Sequence, residues 1–280
     1  MARDTSFSYS FLVLPAEQRQ AIGLVWDFCR AVDDAVDEAP NESSGAVEIG
    51  KWRDEVGRLF GAEAPLTPQG QNLKPIVSAF SLSRLPFDDL VDGVEMDLRH
   101  KQYQTFDELA GYCRRVASTV GLICIEIFGA RDSRSKDYAF NLGLALQLTN
   151  IIRDVAVDLK NGRVYLPQED LARFGVTEAG LRAGVVTEPI RRLLAHQCQR
   201  ARQFYTAAAQ AMPHADAHRL VAAEIMGGIY FEILQRIERR GYDVFTELIR
   251  VPKAARARIA LSIWARGQLS ALGYRLFSRA

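Results

Sequence analysis

The sequence predicts an all-α protein folded as a single domain over residues 1–280. Apolar residues recur at i, i+3, i+4 and i+7 along nearly the whole chain, which is the repeat of a helix with one buried face. Few stretches show the period-two alternation that a half-buried strand needs. No internal repeat, low-complexity tract or linker divides the 280 residues, a length that suits one large domain or two small ones.

The elements follow in order. Pro15 opens a helix as a first-turn proline can, and that helix passes Trp26 and stops near Pro40-Asn41. A polar loop leads to a second helix over 47–60, and a Gly/Pro-rich break over 61–68 separates it from a short helix over 73–83. Pro86 starts the next. In 87–103, Asp88, Asp89, Asp92, Glu95 and Asp97 precede Arg99, His100 and Lys101, an order that suits the helix dipole and predicts a solvated helix. Residues 106–128 form a long apolar helix in which Ala117, Ser118 and Gly121 permit close helix approach. A break over 129–132 precedes a helix over 138–159, which the turn signal Asn161-Gly162 ends. A mixed segment runs to 187, and helices follow over 189–211 and 216–240. His214 and His218 read as an exposed cap beside Pro213, not as a metal pair.

Composition narrows the function. A hydrophobic fraction of 48% and a charged fraction of 25% are those of an ordinary soluble protein. A net charge of +1 argues against a nucleic-acid binder working through bulk charge. Cys29, Cys113, Cys124 and Cys198 lack C-x-x-C spacing and read as reduced core thiols of a cytoplasmic protein. The first ten residues lack a signal peptide's apolar run, and no stretch reaches the ~18 apolar residues of a membrane span. After Glu247 there is no acid, but seven basic residues alternate with Ile259, Leu261, Ile263 and Trp264. Such a helix either packs its apolar side on the body, the stronger reading, or makes peripheral contact with the inner face of a membrane.

Two acidic stretches carry the chemistry. One is Arg30-Ala31-Val32-Asp33-Asp34-Ala35-Val36-Asp37; the other runs from Gln147 through Asn150, Arg153 and Asp154 to Asp158. On a helix, residues four apart share a face, so Asp33 aligns with Asp37 and Asp154 with Asp158. Like charges so placed repel, and the apolar residues between them point to burial, which normally requires an offsetting cation. Mg²⁺ suits such oxygen ligands and commonly bridges carboxylates to substrate phosphates. Arg30 and Arg153 lie within one turn of the acids and could keep them ionised or reach a phosphate. The rows are therefore expected to face each other across a cavity and to hold a diphosphate through Mg²⁺.

The ordered set of motifs resembles the squalene/phytoene synthase family. The set comprises S-F-S-Y-S-F-x-x-L-P from Ser6, D-D-x-x-D after Arg30, Y-C-x-x-V-A-S-T-V-G from Tyr112, N-x-x-R-D-x-x-x-D from Asn150, and N-G-R-x-Y-x-P from Asn161. The resemblance implies an isoprenoid-synthase helical bundle around a central cavity and head-to-head condensation of two prenyl diphosphates. On matching positions it implies that Asp33, Asp34, Asp37, Asp154 and Asp158 serve the Mg²⁺-diphosphate centre, with Asn150 as a further metal ligand. It implies diphosphate binding or orientation by Arg30, Gln147, Asn150, Arg153, Arg163 and Tyr165, with Ser6 and Phe7 at the entrance. Tyr242, with Arg250 or Lys253, is expected to close the diphosphate end.

One departure bears on the product. Family members similar to this chain carry a tyrosine at the position of Arg114, associated with rearrangement of the cyclopropyl intermediate. With Arg114 there, the stretch resembles bacterial presqualene diphosphate synthases of the hopanoid pathway. That implies farnesyl diphosphate as substrate and a second synthase consuming the product. A phytoene or dehydrosqualene synthase is the alternative, and a non-catalytic assembly protein a weaker one because all five metal acids are present. No G-x-G-x-x-G fingerprint is visible, in keeping with no NADPH step.

Overall fold

The computed structural model describes residues 10–99 and 102–277, with side chains described as far as residue 268. Ser6 and Phe7 lie outside the described residues. Twenty-two residues form α1 (Ala16–Asp37), with Pro15 at its N-cap, one position before the expected first turn. Helix α2 (Glu42–Phe60) begins five residues before the sequence reading, because the Asn41 side chain accepts from the Ser44 amide at 2.9 Å and caps it. Helix α3 (Pro68–Phe80) also begins early: Thr67 caps the Gly70 amide and Pro68 occupies the first turn. The buried Glu55 carboxylate fixes that start by accepting from the amides of Leu66 and Thr67.

Helix α4 (Leu85–Arg99) precedes a near-continuous rod: α5 (Phe106–Cys113), a π-helical turn over Arg114–Ser118, and α6 (Thr119–Phe128). The π turn is pressed between two glycines. A Cβ on Gly143 would stand 2.6 Å from the Ser118 Cα, and one on Gly93 would stand 2.6 Å from the Arg115 Cβ. Helix α7 (Arg134–Lys160) ends at Asn161, with Gly162 at φ +75°. Short helices α8 (Gln168–Phe174) and α9 (Glu178–Arg182) occupy the mixed segment, followed by α10 (Glu188–Ala211).

Helix α11 (Val221–Arg239) starts later than the sequence suggests because Asp216 serves a different purpose. Its buried carboxylate accepts from the amides of Arg131 and Asp132, both at 2.7 Å, and from Ser135 Oγ, and so anchors the start of α7. Helix α12 (Lys253–Phe277) lies along α11, with Ile259 and Ile263 against Gly228 and with Gly267 against Val221. The described part of the C-terminal helix thus packs on the body, as the stronger reading expects. Among the described residues the one sheet-like pairing is the isolated bridge between Gln102 and Val164.

Helix α7 organises the interior. Its first half, with Tyr138, Ala139 and Leu142, belongs to a core shared with α1, α4 and α6. Its second half, with Leu148, Ile152 and Val155, belongs to a core shared with α10 and α11. Residues 140–156 of α7 include no exposed position, so this stretch is the buried centre of the fold and a polar residue on it faces a cavity or a partner.

Candidate active site

A cavity of about 380 Å³ runs between α1, α4, the π turn, α6, α7 and α11. Val25, Trp26, Val120, Cys124, Phe128, Leu142 and Met226 make its walls apolar. Its polar end is formed by Arg30, Asp33, Asp34 and Asp37 on α1 and by Gln147 and Asn150 on α7. Asp154 and Asp158 lie one and two turns beyond Asn150. Asp158 lines a small adjoining pocket with Arg163 and Tyr165.

Arg163 joins the two rows. The Asn161-Gly162 turn projects it from the end of α7, and its Nη1 donates to Asp37 Oδ1 at 2.8 Å. Its charge also reaches Asp33, Asp97 and Asp158. Arg153 is folded onto its neighbour, Nε donating to Asp154 Oδ1 at 2.8 Å and Nη2 to Oδ2 at 2.6 Å. The Arg30 Nε stands 3.9 Å from Asp34 Oδ2.

The carboxylates outnumber these arginines, and the electrostatics reflect it. Asp33 opens onto the cavity yet is walled in by protein; burial first, then the charges of Asp37, Asp97 and Asp34, push it up to about 7. Burial, with Asp154 beside it, pushes Asp158 up to about 7 although Arg163 opposes the shift.

Asn150 supplies a further observation. Its Nδ2 donates to Gln147 Oε1 at 3.4 Å, whereas its buried Oδ1 has no hydrogen-bond partner. An orphaned carbonyl oxygen beside crowded carboxylates is what a hard cation would satisfy. All the available donors are oxygens, which fits Mg²⁺ better than a thiophilic metal. Among the described residues no three His, Cys, Asp or Glu side chains close around a single point. A metal here would therefore complete its shell with phosphate or water oxygens, as Mg²⁺ commonly does.

Asp97 is the site residue that the sequence reading missed. Tyr112 Oη and Tyr165 Oη each donate to it at 2.8 Å, and the rings of Tyr103, Tyr112 and Tyr165 stack around them. Burial raises its pKa above the usual carboxylate range, while Arg163 and the two hydroxyls oppose the shift. The solvated-helix expectation thus fails at this position, although Asp88 on α4 is half-exposed. The signal was available: Phe87, Leu90, Val91 and Val94 mark a buried stripe, and the next position on it is 97.

A further expectation needs correction. Tyr242, at φ 66°, stands among Cys198, Glu238, Arg202 and Arg191 and does not line the cavity. The left-handed turn at Gly241-Tyr242 carries it to α10 instead. Arg250 and Lys253 are exposed. Arg114 is exposed too, its guanidinium 5.4 Å from the centroid of the Phe140 ring and outside the cavity lining. The tyrosine of this stretch that meets a carboxylate is Tyr112, whose hydroxyl donates to Asp97.

Residues 1–258 match the profile of the squalene/phytoene synthase family. A phytoene synthase of Arthrospira platensis is 40% identical over 256 residues, covering 86% of this chain and 82% of that protein. A presqualene diphosphate synthase of Rhodopseudomonas palustris is 33% identical over 265 residues, covering 93% of each. In solved structures, a ligand-bound dehydrosqualene synthase superposes with a TM-score of 0.83 at 26% identity, over 94% of this chain and 92% of that one. A squalene synthase from Alicyclobacillus acidocaldarius superposes with a TM-score of 0.77 at 30% identity, over 86% and 91%.

Proposed function

The chain belongs to the squalene/phytoene synthase family, and from that premise we propose that it joins two farnesyl diphosphates head to head and releases presqualene diphosphate. The observation that carries this reading is a rim of carboxylates, with the orphaned Asn150 Oδ1 among them, at one end of an apolar cavity. Mg²⁺ held by Asp33, Asp37, Asn150, Asp154 and Asp158 would neutralise charge on the departing diphosphate. Asp34 adds to the field of the first row.

In this reading Arg30, Arg153 and Arg163 bind diphosphate oxygens, Gln147 orients Asn150, and Tyr165 holds Asp97 behind Arg163. Cationic donors at this end stabilise the negative charge that grows as the allylic C–O bond breaks. The electron pair of that bond leaves with the diphosphate. The double bond of the second substrate attacks the allylic carbon, a proton is lost to the released diphosphate, and the cyclopropane closes. Trp26, Val120, Cys124 and Phe128 keep water from the cation while this happens.

Similarity to the Rhodopseudomonas presqualene diphosphate synthase across 93% of both chains supports this substrate and product. The Arthrospira relative, at 40% identity, favours a second reading, condensation of two geranylgeranyl diphosphates to phytoene. One incubation separates them. Purified protein is given Mg²⁺ with either prenyl diphosphate, without nicotinamide cofactor, and the products are identified by mass. Presqualene diphosphate from farnesyl diphosphate is the expected result. A C30 hydrocarbon, or turnover with geranylgeranyl diphosphate alone, would replace it with the second reading or its C30 counterpart. No turnover with either would leave an assembly protein.

A further inference from the structure

We propose that the outward face of α12 docks on an anionic lipid surface. On its inner side, Ile259 and Ile263 pack against Gly228. Its outer side is not polar: Leu261 is 64% exposed and Trp264 42% exposed. Helical spacing places Ala257, Leu261, Trp264 and Ala265 on one exposed arc, with Lys253 and Arg258 on its two edges. No acidic residue follows Glu247 in the sequence, so this face carries only positive charge. An apolar stripe with a tryptophan, edged by bases, matches the layering of a bilayer interface: acyl boundary in the middle, anionic headgroups on either side. Among the described residues no helix is long and apolar enough to cross a membrane, so α12 would lie flat.

Position strengthens the inference. Gly267 meets Val221 while Ile259 and Ile263 meet Gly228, so α12 runs antiparallel to α11 and its Trp264 end lies over the start of that helix. The same start of α11 contributes Ala223 and Met226 to the cavity, and Glu224 beside them acts electrostatically on Tyr138. Trp264 therefore lies over the apolar end of the cavity, opposite the carboxylate rim. The lipid face is independent of which prenyl diphosphate is bound.

The test uses the full chain in vesicle flotation. Vesicles of phosphatidylcholine mixed with phosphatidylglycerol are compared with phosphatidylcholine alone, at low and high salt. Expected is flotation with the anionic vesicles that weakens in high salt. Lys253→Gln with Arg258→Gln should weaken it roughly fivefold per residue. Leu261→Ser with Trp264→Ser should weaken it at least about tenfold. All four side chains are on the surface, and circular dichroism confirms retained helix in each variant. The proposal is overturned if the wild type floats with neither vesicle or if the variants float like the wild type. It is overturned equally if sedimentation shows a dimer that Leu261→Ser with Trp264→Ser dissociates, which would make the face a contact between copies.

Discussion

Arg163 Nη1 donates to Asp37 Oδ1 at 2.8 Å, so the turn that ends α7 closes onto the last carboxylate of α1. Residues 126 positions apart thereby meet at the rim of the cavity. Arg163→Gln keeps a donor but removes the charge that offsets Asp33, Asp97 and Asp158. Loss of one preorganised charge-stabilising donor costs roughly a hundred- to a thousandfold in kcat. Steady-state turnover at saturating Mg²⁺ measures it, and a loss under about tenfold would take Arg163 out of the diphosphate site.

Asp97 makes no direct contribution to the apolar cavity lining, yet it receives two tyrosine hydroxyls and faces Arg163. Asp97→Asn retains the shape and removes the charge. The expected outcome is a lower kcat with a nearly unchanged melting temperature, because the amide oxygen accepts from one hydroxyl and the amide NH2 donates to the oxygen of the other. Asp97→Leu strands both hydroxyls and should also destabilise the fold by about 1–3 kcal/mol. A melting temperature equal to the wild type in Asp97→Leu would show that the tyrosines find other partners.

The raised pKa values of Asp33 and Asp158, both about 7, set a sign for the metal-free protein. A carboxyl that holds its proton more tightly when folded stabilises the fold below its unfolded value of about 4 and loses that contribution as pH rises through about 7. Metal-free protein should therefore melt at a lower temperature at pH 8 than at pH 6. Asp33→Asn with Asp158→Asn should flatten that slope, and Mg²⁺ with inorganic diphosphate should reverse it in the wild type. A wild-type slope identical to that of the double variant would mean that these carboxyls titrate normally.

How much of this was visible beforehand depends on the kind of signal. The two acidic rows were legible because Asp33, Asp37, Asp154 and Asp158 recur at helical spacing between β-branched residues, a pattern with few other uses. Asp97 was hidden by its neighbours: the run from Asp88 to Arg99 satisfies a helix dipole, which masks the one acid on the buried stripe. The early starts of α2 and α3 were encoded in Asn41 and Thr67, whose caps outweigh the loop-like composition around them. Tyr242 was misplaced for a geometric reason. A left-handed turn carries its side chain away from where a continuing helix would aim it.

Asn150 tests the metal reading apart from turnover. Its Oδ1 is buried without a partner, so the empty protein pays a desolvation cost there that a cation would relieve. Asn150→Leu removes that polar group and should leave metal-free stability equal to or above the wild type. In the same variant the rise in melting temperature caused by Mg²⁺ with inorganic diphosphate should shrink. A thermal scan with and without both ions reads the two effects together. An undiminished rise would exclude Asn150 as a ligand.

The close fit of α7 to the π turn gives a last prediction, about architecture more than charge. A Cβ at Gly143 would lie 2.6 Å from Ser118 Cα and 2.8 Å from its nitrogen, both backbone atoms that cannot swing aside. Ser118 Oγ also donates to the Phe140 carbonyl at 2.9 Å, which pins the turn to α7. Gly143→Ala must push the turn outward and move Val116 and Ala117, which line the cavity. Overpacking of this kind costs about 1–3 kcal/mol. Gly23→Ala on α1 is the matched control, since an added Cβ there meets nothing within 4 Å and should stabilise the helix by about 0.4–1 kcal/mol. Denaturant unfolding should therefore give opposite signs for two identical substitutions. Activity should fall in Gly143→Ala alone, and equal shifts in both would mean that the turn yields without resistance.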